Sequence, residues 1–146
     1  MVEVQILNKT YPLCLTVAAL DEVTSLCGGL HQIGQFLDGE DAQHMILPEG
    51  EEPAQPVRNV AKMATNSLLM LDILLREGEN NRIMRAQLEG VPAERRTVPD
   101  AGMLGQLLSV KSALTYRGAI MDAVAASMLR EIEAEYPKNV KDAEQK

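Results

Sequence analysis

At 146 residues and a formal net charge of −7, the chain is the size of one domain and can bury roughly 68–70% of its unfolded surface without staples. Residues 1–55 carry nine acids and one Lys, residues 56–146 twelve acids and thirteen bases; this argues against phosphate binding at the front and leaves no basic stripe for nucleic acid. One Phe, three Tyr, no Trp and eight Met leave Leu, Val, Ala and Met to fill the interior, which favours packed helices over a large sheet.

In chain order, VEVQILNKTYPLCLTV comes first. Val2, Val4 and Ile6 alternate with polar residues, as do Tyr11, Leu13 and Leu15, so residues 1–15 read as a β-hairpin turning at Asn8-Lys9. Pro12 has no N–H, which places its strand at an edge with that position facing outward. A lone hairpin is marginal in water, so it must rest on helices, pair with a neighbouring chain, or both. Thr16 can cap a helix over 16–37, with Leu20, Val23, Cys27, Leu30 and Leu37 on its stripe and Asp21 and Glu22 in the first turn. Gly28-Gly29 inside it marks a kink or a close crossing.

Residues 38–55 hold Asp38, Glu40, Asp41, Glu49, Glu51 and Glu52, with Pro48 and Pro53, the composition of a flexible acidic loop. The region 56–135 reads as helical. Pro56 suits the first turn of a helix reaching Glu77 and stopping at Gly78. Val57, Val60, Ala64, Leu68, Leu71 and Leu75 form its stripe, and Leu69, Met70, Ile73 and Leu74 widen the apolar surface almost all the way round. Such a helix is either central or an interface. A shorter helix is expected over 80–89, then a linker, GVPAERRTVP. Asp100 can cap a short helix to Leu108, and Ser109 or Ser112 can open a long one to about Glu135. Residues 136–146 read as a flexible tail. The expected fold is mainly α with a small N-terminal hairpin (α+β), a compact domain of four to five helices spanning 1–146.

No stretch resembles a signal peptide, and LLMLDILL, 68–75, is too short to cross a bilayer. A cytoplasmic location follows as the expectation, with Cys14 and Cys27 reduced. His31 and His44 flank Asp38, Glu40 and Asp41, but without regular ligand spacing, so no metal site is expected. Cys27 and His31 share an i, i+4 spacing, yet Cys27 lies on the apolar stripe. Asp72 reads as an ion-pair partner for Arg76, and Arg95-Arg96 as an exposed charge pair. No phosphate loop, G-x-S-x-G or H-E-x-x-H is present; no catalytic residue, cofactor or metal is expected. Met63, Leu69, Met70, Ile73 and Leu74 are the candidate partner-binding residues, since Met-rich surfaces accept varied apolar helices.

The opening I-L-N-K-T-Y-P-L with the following L-D-E-V, the V-R-N-V-A to L-L-R-E-G stretch (57–61, 74–78) and R-E-I-E at 130–133 resemble the tail assembly chaperones of long-tailed phages and prophages. The resemblance implies a non-enzymatic, self-associating protein of the host cytoplasm. It would bind the helix-rich tape-measure protein and keep it soluble until tail-tube subunits displace it. A hairpin followed by helices also resembles small cell-division ring-associated proteins, which dimerise and bind a cytoskeletal filament; the prolines and Gly28-Gly29 disfavour the long coiled coil this needs. An enzyme built around His31, Asp38 and His44 is a third possibility.

Overall fold

The computed structural model describes residues 2–39 and 59–135, with side-chain surroundings up to residue 128; the expected acidic loop from residue 40 onward, His44, Pro56 and the tail over 136–146 lie outside these residues. The fold is the expected one, mainly helical with an N-terminal two-stranded hairpin. Strands β1 (Val2–Ile6) and β2 (Lys9–Leu13) are antiparallel, with Val2 opposite Leu13 and Ile6 opposite Lys9. Among the described residues the helices are α1 (Leu20–Cys27), α2 (Ile33–Leu37), α3 (Val60–Glu89), α4 (Ala101–Leu107), α5 (Val110–Thr115) and α6 (Arg117–Glu135).

Helix α3 is the axis. Its 30 residues span about 45 Å at 1.5 Å per residue, and β2, α2, α4, α5 and α6 all pack on it. The sequence reading split it at Gly78, whereas the helix runs straight through. Gly78 is there for a neighbour: a Cβ on it would fall 2.0 Å from the Pro12 carbonyl oxygen. Only a residue without a side chain lets the strand backbone lie directly on the helix backbone. One turn earlier, the Leu74 carbonyl accepts the Cys14 N–H at 3.2 Å. The helix starts from Asn59, whose side chain accepts the Lys62 N–H at 3.1 Å as its N-cap. It ends at Gly90, left-handed at φ 70°, where the Val91 N–H reaches back to the Ala86 carbonyl and closes the helix end.

The hairpin lies between α3 and α6. Val4, Ile6, Tyr11, Leu13 and Leu15 are buried in the common core with Leu71, Leu74, Leu75, Leu104 and Ile120. Counting from the pair that closes the turn, Glu3 and Pro12 face each other where backbone groups point away from the partner strand. The missing Pro12 N–H is therefore directed away from β1, as expected, but this edge is covered by α3 and not open to solvent. On the other flank the Tyr116 hydroxyl donates to the Gln5 carbonyl at 3.0 Å, and the Leu15 N–H donates to Ser127 Oγ at 3.2 Å. The main seat of the hairpin is thus α3 and α6. Its turn is Leu7-Asn8, one residue before the expected position, and the left-handed residue is Leu7, at φ 56°.

Gly28-Gly29 breaks the predicted 16–37 helix outright. Gly28, at φ 93°, ends α1 in the left-handed conformation, and the chain restarts through a 3-10 turn, Leu30–Gln32, into α2. Thr16 precedes a 3-10 turn, Val17–Ala19, and makes no side-chain cap. Asp100 and Ser109 do cap as expected: they accept the Met103 N–H at 2.8 Å and the Ser112 N–H at 3.2 Å. The long last helix is broken near Tyr116 into α5 and α6.

Candidate partner-binding surface

The five candidate contact residues divide between core and margin. Met70 and Leu74 are wholly buried and Ile73 is 4% exposed, so these three are core. The helix is apolar on nearly every side because the hairpin, α2, α4, α5 and α6 surround it; of the two readings of such a helix, central and interface, the first applies to these positions. Leu69 and Met63 are half-buried. Met63 lies against Gly39, its Cγ 3.1 Å from where a Cβ would stand there.

The exposed apolar side chains lie elsewhere. Met103 and Leu107 stand out from α4 and Val110 from the start of α5. Asp100, Gly102, Met103, Gln106 and Leu107 line a shallow, open depression of about 460 Å³ whose walls are almost wholly apolar. A second set, Met84, Leu88 and Val91, marks the C-terminal end of α3. In AGMLGQLL, 101–108, Leu104 and Leu108 turn inward while Met103 and Leu107, also four apart, are exposed. An apolar pair on each side of so short a helix was the available signal, masked by the much longer apolar run of α3.

The polar stretch REGENNR, 76–82, carries a second constellation that sequence reasoning missed. Glu79 is 1% exposed and accepts from Arg82 Nε at 2.7 Å, Arg82 Nη2 at 2.8 Å and the Arg96 backbone N–H, with Arg96 Nε at 3.4 Å. The Arg82 hydrogen bond outweighs the cost of burial and, with the Arg96 N–H, holds the Glu79 carboxyl down to about 2. Arg82 also donates to the Glu94 carbonyl at 2.6 Å, and Arg95 to Asn80 Oδ1 at 2.7 Å. The linker after α3 is therefore laid back along the helix, fixed by a buried charge whose partners satisfy it. Arg95 and Arg96 are part of this clasp and not simply an exposed pair.

Asp72 corrects another expectation. Its Oδ2 accepts the Ala101 N–H at 3.1 Å, at the start of α4, while Arg76 pairs with Glu22 of α1. Asp72 and Glu79 of α3 thus each hold a backbone N–H of the returning chain.

Burial pushes the Cys27 thiol up to about 11, the opposite of an activated nucleophile. Asp38, one of the acids near His31, accepts from Arg117 Nε at 3.0 Å. Among the described residues no three of His, Cys, Asp or Glu are grouped to hold a metal ion, and no helix is long and apolar enough to cross a membrane.

These features define a mainly helical α+β domain with apolar surface on α4, α5 and the end of α3. Comparison with protein-family models, curated proteins and solved structures finds no match to any of them.

Proposed function

We propose that this chain is a non-enzymatic tail assembly chaperone of a long-tailed phage or prophage, working in the host cytoplasm. It covers apolar helical segments of a tape-measure protein and keeps them soluble until tail-tube subunits take its place, and it self-associates. The observation that supports this most is the exposed Met103 and Leu107 lining an open apolar depression, with Val110 also exposed at the start of α5. Such a surface, shallow and flanked by a methionine, suits a loose and exchangeable contact with the apolar face of a helix better than a tight, shape-specific one. The net charge of −7 would keep a complex with an aggregation-prone helical partner in solution.

Co-expression with a tape-measure protein of a long-tailed phage, followed by pull-down, tests the reading. Co-purification of the tape-measure protein, with loss of its solubility when this chain is omitted, is the expected result. A tape-measure protein equally soluble without this chain and never retained by it would refute the proposal.

A further inference from the structure

Helix α4 packs on α3 with few buried side chains of its own. Five of its seven residues are exposed and Leu104 alone is fully buried. Gly102 and Gly105 each cost roughly 1 kcal/mol of helix propensity relative to Ala, and seven residues cannot sustain a helix alone. Both flanks are extended: Asp100 at ψ 177° before it and Leu108 at ψ 143° after it. Beyond each flank the chain is anchored again, by the Glu79 clasp at Arg96 and by the Ser109 cap of α5. What ties α4 itself to the axis is Leu104, with half-buried Leu108 just beyond it, and the Asp72 carboxylate on the Ala101 N–H.

We infer that α4 is a discrete opening unit. It swings away from α3 between hinges at Asp100 and Leu108, with Asp72 as its latch, while the rest of the fold stays closed. Segments with few buried contacts between firm anchors open far more readily than the core around them. The open form uncovers the Leu68 side of α3, which Gly105 faces: a Cβ on Gly105 would lie 4.0 Å from Leu68 Cδ1. This property belongs to the isolated chain and does not depend on the chaperone reading.

Amide hydrogen exchange on the full chain, read residue by residue by NMR, tests it. The Leu104, Gly105 and Leu108 amides should be at least tenfold less protected than those of Leu71–Leu75. A difference below tenfold would mean that α4 opens only with the whole molecule, and would overturn the inference. Two variants check the mechanism. Gly105→Ala, which has room for its methyl group, should slow exchange in α4 more than twofold and leave α3 within twofold. Asp72→Asn should speed exchange in α4 severalfold and leave α3 within twofold. If either variant moves both helices together, or neither, α4 is not an independent latched unit.

Discussion

The Pro12 carbonyl oxygen of β2 rests on Gly78 of α3 so closely that a Cβ on the glycine would stand 2.0 Å from it and 2.7 Å from its carbon. Strand and helix meet backbone to backbone, and this contact seats the hairpin on the axis of the molecule.

Gly78→Ala therefore has opposite expected effects locally and globally. In an exposed helix interior the change stabilises by about 1 kcal/mol. Here backbone atoms would have to yield, so we expect a loss of about 3 kcal/mol or more, as for severe overpacking. Urea denaturation followed by circular dichroism measures it. A gain in stability would show that strand and helix do not touch in this way.

Leu7 carries the other backbone tension. It sits at φ 56° on the hairpin tip and is 61% exposed. A leucine in the left-handed region costs about 1–2 kcal/mol, whereas Asn tolerates it. Leu7→Asn should raise stability by about 0.5–1 kcal/mol. An equal loss in the same denaturation assay would contradict the turn geometry.

For Glu79 the sign of the pH dependence follows from its depressed value, about 2 folded against 4.5 ordinarily. The stability it contributes is present above about 4.5 and is lost as pH falls from there toward 2, at up to about 1.4 kcal/mol per pH unit. Glu79→Gln should cost about 1–3 kcal/mol at neutral pH and flatten that acid limb. Denaturation midpoints taken across pH 2–5 separate the two; an unchanged slope in the variant would rule out Glu79 as its source.

The pairing of Arg76 can be measured directly. A double-mutant cycle between Asp72 and Arg76 should give coupling near zero, and one between Glu22 and Arg76 about 0.2–1 kcal/mol, ordinary for an exposed pair. The reverse ranking would restore the local pair suggested by their i, i+4 spacing.

These cases show where the sequence was legible. Strand alternation at Val2, Val4 and Ile6 and the caps at Asp100 and Ser109 are governed by neighbours a few residues away, and local chemistry reveals them; Gly28-Gly29 reads as a kink within one helix, whereas it ends α1. Gly78 looked like a helix stop because its reason for being glycine lies 66 residues earlier in the chain, at Pro12. Asp72 is opaque for the same cause, since its partner Ala101 arrives with a returning linker; so does Arg96 at Glu79, whose other partner, Arg82, stands only three residues on. Apolarity all around α3 does not distinguish a core axis from an interface, so Met70, Ile73 and Leu74 read as contact surface although they are buried, while the exposed Met103 and Leu107 of the expected short helix after Asp100 do not stand out.

The working surface proposed for this chain is the outward face of α4 and the start of α5. Its most direct measurement is the solubility of a co-expressed tape-measure segment with a Met103→Ser, Leu107→Ser double variant in place of the wild-type chain. Both side chains are about half exposed, so the variant should keep its fold within about 1 kcal/mol. The segment should then stay soluble with the wild-type chain and precipitate with the variant. A folded variant that solubilises the segment as well as the wild type would contradict the assignment of this face.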